Sequence, residues 1–518
     1  MPLRVKVKPG LYKDSVALMR LSATLAAIKG VAKATVVMAT PANKDILKDA
    51  GLLVAEAAGA RPDDLVVVVD ATSEAAADAA LALLETSLNE RKAAKGDGAT
   101  AERSPRSILQ AAARNEGPDL ALISVPGPFA AAEALKAVRA GLDVLLFSDN
   151  VPVAQERSVK EVARKRGRLV MGPDCGTAIL GGVPLGFANV VRRGAIGLVA
   201  ASGTGLQQAT CLIDRLGEGI SQAIGTGGRD TSAAVGGLSM LAGLDLLAAD
   251  PETKVIVLMS KPPAPEVATA ILARAATTKK PVVVNFLGSD PLGGEKRGNL
   301  LRAATLEEAA TVAVGALRRR KTPRLKALVS ADGVAAARRR FAKEQAGLLA
   351  LFSGGTFCAE ALMLWASAGL EVHSNVPLDK RLVWQAGAKG QTHVALDLGA
   401  DEFTLGKPHP MIDPSGRIEA VAQAGRDPRV GVLLLDVVLG HGAHADPAGA
   451  LVPAIRRAVT EAKRRGRRLA VVAFVCGTER DPQALSAQEA TLRAAGVMVE
   501  GSSTRAARLA AALIGARR

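Results

Sequence analysis

The feature that most constrains this chain is an alternation repeated along its length. Short runs rich in Val, Ile and Leu, such as LVVVVD at 65–70, DLALISVP from 119 and PVVVNFLG at 281–288, are separated by alanine-rich stretches with helical periodicity. A brief apolar run bounded by turn residues reads as a strand buried on both faces, and its regular exchange with longer helices is the pattern of βαβ units. The expected fold class is α/β, built from several doubly wound parallel sheets. At 518 residues the chain exceeds what one core can organise, so three or four domains are expected.

Residues 1–118 read as a small α+β N-terminal module, with strands at 33–38 and 65–70, helices near 13–29 and 74–92, and a strand-like MPLRVKVKPG start. It closes on a connector, KAAKGDGATAERS, where apolar periodicity is lost. Residues 119–191 read as a Rossmann-like half with strands DLALISVP and DVLLFSD and a helix over about 155–166. The turn-rich GGVPLGFANVVRRG (181–194) hands over to the next unit. Residues 192–320 carry strands near 196–201, 220–224, 254–259 and 281–287, and residues 344–518 carry strands near 348–352, 393–397, 430–436, 469–474 and 497–499. These last two units share one order, a strand, a Ser/Gly/Thr turn and a helix, then strands ending in glycine-rich loops. They read as distant repeats of a flavodoxin-like plan.

Composition narrows the function classes. Lys and Arg outnumber Asp and Glu by 66 to 50, a net charge of +16, yet aromatic residues make up only 2%. Stacking platforms for single strands are therefore missing, and the basic runs RRRKTPR (318–324), ARRRFAK (337–343) and RRAVTEAKRRGRR (456–468) read as linker flanks and a solvated helix end. A basic surface that draws in a small anionic substrate or an acidic partner is expected, and nucleic acid is not. No apolar run reaches the ~20 residues of a membrane span, and the N-terminus lacks a signal-peptide core, so a cytoplasmic protein is expected. Cys175, Cys211, Cys358 and Cys476 form no CxxC pair and the five histidines no HExxH spacing, so neither a metal site nor a disulfide framework is expected.

The chemistry concentrates at strand ends. In LVAASGTGLQQ (198–208) a strand runs into Ser202, Gly203 and Thr204 and then a helix, and LLALFSGGTFCAEAL (348–362) repeats this with Ser353, Gly354, Gly355 and Thr356. Each is either an ordinary N-cap or an anion site, because a helix start presents unpaired N–H groups and the positive end of its dipole. Two such starts in sister domains can face one phosphate together. In GTGGRD (225–230), Gly228 offers close backbone approach, and Arg229 is either a clamp for a phosphate or carboxylate or a loop arginine paired with Asp230. GPDCGT (172–177) offers Asp174 and Cys175 to a substrate, or else packs Cys175 as a small core residue. In LDVVLGHGAHADPAG (435–449), His441 and His444 are candidates for acid–base work. Lys261 of SKPPAPE and Lys407 and His409 of LGKPHPMIDP complete the candidate substrate contacts.

These motifs carry a family resemblance. ALISVPGPFAAAEALKAVRAGLDVLLFSDNVP, MGPDCGTAI and GLVAASGTG are similar to the α subunit of succinyl-CoA synthetase, and FSGGTFCAEAL and VLLLDVVLGHGAHADPAGAL resemble the carboxy-terminal domain of its β subunit. Both in one chain, with DSVALM, TPANK, GPDCGT, GTGGRD, SKPPA, GKPHPMIDP and GTERDP, resemble the FdrA family over nearly the whole length. The synthetases hold a phosphohistidine between two helix starts; by resemblance these begin here at Ser202–Thr204 and Ser353–Thr356. The synthetase histidine loop follows the strand that is PVVVNFLG here, but this chain continues GSDPLGGEKRGN without a histidine. SKPPA stands where the synthetases carry the supporting glutamate, the CoA-binding glycine loops of the first βαβ half have no counterpart, and no ATP-grasp region or G-x-x-x-x-G-K-[ST] loop is present. The resemblance implies group transfer from a phosphate-activated donor: carbamoyl phosphate with oxamate in allantoin and purine breakdown, or an acyl-CoA synthetase subunit using CoA. A scaffold that regulates a partner is the remaining reading. It also implies partner subunits, in a homo-oligomer or a hetero-complex, with the nucleotide step on another chain.

Overall fold

The computed structural model describes residues 2–11, 13, 15–49, 51–93, 105–114, 117–325, 328–339, 341–342, 344–388, 390–404 and 408–515. It forms two compact units, Met1–Arg106 with Asp401–Asp413, and Ser107–Ala400 with Pro414–Arg518.

In the first unit, strands Leu3–Lys8 and Val31–Met38 flank Leu65–Ala71 in an antiparallel sheet. The central run LVVVVDA is apolar at nearly every position because both of its faces are covered. Leu65, Val67 and Val69 pack with Leu18, Leu25, Ala77, Ala80 and Leu84 of the helices Ser15–Ala26 and Glu74–Ala93, while Val66 and Val68 pack with Leu47, Leu52 and Ala57 on the other side.

Among the described residues the second unit contains three sheets. A three-stranded parallel sheet, Leu120–Ile123, Asp143–Leu146 and Val170–Met171, is the Rossmann-like part. The next sheet has a parallel centre in the order Ile220–Gly225, Arg193–Ala201, Val255–Ser260, Val282–Phe286, Leu300–Arg302. The last is parallel throughout, in the order His373–Ser374, Val394–Asp397, Gly347–Phe352, Val430–Val438, Ala470–Cys476, Met498–Glu500. Apart from the short edge strand His373–Ser374, both follow the flavodoxin order 2-1-3-4-5. The first strand of each therefore sits where the strand order reverses, and in this topology ligands bind at the carboxyl end of that switch point. Those ends are Ala201 and Phe352, immediately before the two Ser/Gly/Thr turns.

One expected boundary moves. The strands Thr177–Leu180 and Val183–Gly186 form a hairpin, and the first of them pairs antiparallel with Ile220–Gly225, so this segment belongs to the second sheet. The cause is the Gly181–Gly182 turn, with φ of +57° and +85°, the primed-turn geometry that joins adjacent antiparallel strands. The basic stretch between the second and third sheets also holds a short helix, Ala331–Arg338, capped by Ser330.

Buried polar groups join the two large sheets. Asn189 donates to the Leu439 carbonyl and to Asp481, and the Val190 N–H donates to Asp481 at 2.7 Å. Glu360, 1% exposed, accepts from the Leu306 N–H and from the hydroxyls of Ser503 and Thr504, serving the starts of two helices at once. Arg505 and Ser502 hold Glu307 beside it.

Candidate functional site

At the first junction Ser202, with φ −164°, is the N-cap of helix Gly203–Arg215, and its Oγ accepts from the Gly205 N–H at 3.1 Å. The second junction is built differently. The Ser353 N–H and hydroxyl both donate to Asp436, the hydroxyl at 2.6 Å, and Asp436 is fully buried against Arg417, also at 2.6 Å. Arg417 further donates to the carbonyls of Leu351 and Asp436. Gly354 is left as the N-cap of helix Gly355–Ser367 and supplies no side-chain bond.

The two junctions meet. Ser202 Oγ and Thr356 Oγ1 lie 2.7 Å apart. Gly354 backs directly onto Thr204, and a Cβ there would fall 2.3 Å from Thr204 Cγ2; one at Gly205 would fall 3.2 Å from Thr356 Cγ2. Of the hydroxyls expected to donate to an anion, Ser353 is thus engaged with Asp436, and Ser202 and Thr356 with each other. The open space lies beside the junction rather than between the hydroxyls.

That space is a small cleft of about 20 Å³ lined by Asp174, Cys175, Gly176, Thr177, Ser202, Gly203, Gly225, Gly227 and Gly228. Glycine is required where its walls touch. A Cβ on Gly225 would lie 2.4 Å from the Thr177 carbonyl, and one on Gly227, whose φ is +84°, 2.2 Å from the Pro173 carbonyl. Gly203 and Gly228 face open space, with nothing nearer than Thr177 Oγ1 at 3.7 Å from Gly203. Asp174 stands exposed at the rim with φ +54°, a left-handed conformation that Asp tolerates better than most residues. On the far side of the second helix start, the bare Cα of Gly355 admits Asp397 Oδ2 and Lys261 Nζ, 2.6 and 3.1 Å from where its Cβ would be.

Neither candidate thiol is a nucleophile at neutral pH. Burial pushes Cys175 and Cys358 up to about 12, and for Cys358 this outweighs the helix start, which alone would lower it. Arg229, expected as the substrate clamp, is tied away from that role. It donates to the Val151 carbonyl at 2.8 Å and pairs with Glu156 at 3.1 Å, whereas Asp230 pairs with Lys160. His441 is exposed in the loop after Val430–Val438, with its N–H on the Ala188 carbonyl. This loop reaches the cleft wall through Gly442, which lies against Phe187, whose carbonyl accepts from Thr177. His444 turns to its own segment, its Nδ1 accepting from the Asp446 N–H at 3.0 Å. His409 belongs to the N-terminal unit, where its Nδ1 accepts from the Met411 N–H, and Lys407 lies outside the described residues.

Sequence reasoning missed Asp436, Arg417, Asp397, Glu360 and Lys160. Only Asp436 left a signal, as a lone carboxylate inside the apolar strand VGVLLLDVV. The others are polar residues in helices or at strand ends, where burial is decided by the partner sheet.

Two flavodoxin-type sheets joined at their first-strand ends, beside a Rossmann-like sheet, define a protein of the CoA-ligase type. The family model for CoA-ligase matches residues 351–513, that for CoA binding domain matches 192–288, and that for "AllF, heavy metal-associated domain" matches 1–105. The chain is 41% identical over 510 residues, 98% of both chains, to "Uncharacterized protein YahF" of Escherichia coli (strain K12). It belongs to the FdrA family, within the succinyl-CoA synthetase superfamily. It is also 29% identical over 202 residues to the succinate–CoA ligase [ADP-forming] subunit alpha of Aquifex aeolicus (strain VF5), which covers 37% of this chain and 64% of that one. Among solved structures it resembles PH0766 from Pyrococcus horikoshii OT3, with 18% identity, a TM-score of 0.33, and coverage of 81% and 88% of the two chains.

The metal named in the N-terminal family model does not fit these residues. Residues 1–105 contain neither cysteine nor histidine, the usual thiolate and imidazole donors to such metals. Among the described residues no cluster of three or more Cys, His, Asp or Glu could hold an ion, and no helix is long and apolar enough to cross a membrane.

Proposed function

We propose that this chain performs acyl transfer of the CoA-ligase type from a diffusible acyl phosphate. The phosphoryl end of the donor rests in the cleft beside the joined helix starts, at the Gly203 N–H and against the glycine loop 225–228. The CoA sulfur attacks the acyl carbon, the C–O bond to phosphate breaks, and the thiol proton passes to His441 or to the leaving phosphate. Catalysis is then positioning together with stabilisation of the charge that develops on the leaving group. The carrying observation is the meeting of the two junctions across the seam, with Ser202 and Thr356 bonded at 2.7 Å. No histidine follows PVVVNFLG to take a phosphoryl group from a nucleotide, so the donor arrives already phosphorylated and the nucleotide step falls to a partner subunit.

A second reading has an observation of its own. The cleft of about 20 Å³ is far below the ~300–1,000 Å³ of typical ligand pockets, which favours the smallest donors. Carbamoyl phosphate is among them, and with oxamate as acceptor the same step would yield oxalurate and phosphate. Incubating the protein with CoA and acyl phosphates of increasing size, and separately with carbamoyl phosphate and oxamate, tests both. Thioester or oxalurate formation that is lost in Gly203→Asp supports the site. No turnover with any donor, with or without partner subunits, refutes acyl transfer and leaves the scaffold.

A further inference from the structure

Lys160 is a buried cation that the junctions do not use. It lies on helix Val153–Lys165 of the Rossmann-like part, 2% exposed. Its ammonium donates to Glu156 Oε1 and Asp230 Oδ1, both at 2.8 Å, and to the Thr226 carbonyl at 3.1 Å, so all three of its donors are used. Lysine is rarely buried unless paired, and apolar side chains often replace such buried clusters without loss of stability, so stability alone gives no reason for this one.

Its contacts define what it holds. Thr226 lies within the loop Gly225–Gly228, three of whose four residues line the cleft. Asp230, two residues beyond that loop, accepts from the N–H groups of Ser239 and Met240 in the first turn of helix Leu238–Ala249. Glu156, also 1% exposed, pairs through its second oxygen with Arg229. The loop is thus held at Thr226, Arg229 and Asp230. A run of glycines has the widest conformational freedom of any sequence and needs such external restraint to keep one shape.

We infer that Lys160 is a positioning residue for the cleft: with Glu156 and Asp230 it pins the glycine loop in the conformation that receives the phosphoryl end of the donor. This rests on the acyl phosphate reading given above.

Lys160→Met alone strands two buried carboxylates and is expected to unfold the unit. The test therefore uses the full chain carrying Glu156→Gln, Lys160→Met and Asp230→Asn together, which removes all three charges, and the single variant Glu156→Gln, which keeps an acceptor for Lys160 but releases Arg229. Two quantities are read, amide hydrogen exchange of residues 225–230 without ligand and the Kd for acetyl phosphate. The triple variant is expected to exchange these amides at least about tenfold faster and to bind acetyl phosphate about 10–100-fold more weakly, the range seen when the hydrogen-bonded supports of metal ligands are removed. Glu156→Gln is expected to change both in the same direction by less. Unchanged exchange, or faster exchange with an unchanged Kd, overturns the inference; if the triple variant does not fold, Glu156→Gln decides by the same criteria. If the wild-type protein binds no acetyl phosphate, the acyl phosphate reading fails, and loop exchange alone decides whether Lys160 holds the loop.

Discussion

Gly354→Ala probes the seam where it is tightest. The added Cβ would lie 2.3 Å from Thr204 Cγ2, 2.7 Å from its Oγ1 and 2.9 Å from its Cβ, all inside van der Waals contact. Thr204 cannot swing aside cheaply, because it is 8% exposed in the second position of its helix, beside the Ser202–Thr356 bond. Overpacking of this kind costs about 1–3 kcal/mol. For a cooperative block of roughly 150–250 residues, each kcal/mol lowers the thermal midpoint by about 2–4 °C. Thr204→Ala removes the two nearest atoms but keeps its Cβ, so the double variant is expected to regain part of the loss, with a coupling of about 0.5–3 kcal/mol for residues in contact. Calorimetry of the four proteins measures this directly. Additive effects, or a neutral Gly354→Ala, would refute the direct apposition of the two helix starts.

Other outcomes follow from the same geometry. Asp436→Ala leaves Arg417 buried without its partner and should destabilise the third sheet by about 3–5 kcal/mol, measurable by denaturant titration. Thr356→Val keeps the shape but removes the bond to Ser202, and should cost about 0.5–1.5 kcal/mol. Cys175 and Cys358 should resist iodoacetamide in the folded protein at pH 8 and react after denaturation; labelling of the native chain at either position would contradict their burial. Because both thiols are raised from 9 to about 12, the stability they contribute is fully present below pH 9. It should fall as pH rises towards 12, by about 1.4 kcal/mol per pH unit for each thiol, and unfolding followed across that window tests the sign.

Much of this architecture is legible in the sequence because parallel strands buried on both faces leave uninterrupted apolar runs. Those at 196–201, 254–259, 348–352 and 430–436 all appear as strands within three residues at either end. The hairpin Thr177–Gly186 was harder to see, since its Gly-Gly turn lies inside a stretch crowded with other turn residues. The two junctions also declared themselves, because small residues between an apolar run and a helix have few other uses. What the hydroxyls do there did not. Whether Ser353 faces a ligand or Asp436 depends on a strand more than eighty residues away, and whether Thr356 faces a ligand or Ser202 depends on another sheet. Arg229 shows the same limit. Local reading pairs it with the adjacent Asp230, yet the buried Lys160 takes Asp230 and leaves Arg229 to Glu156.

The most direct measurement is the position of phosphate in crystals of this protein soaked with acetyl phosphate or inorganic phosphate. An anion in the cleft beside Ser202, within hydrogen-bonding distance of the Gly203 N–H, is the expected result. An anion bound only elsewhere, or a cleft that stays empty while the protein still turns over an acyl phosphate, would contradict it.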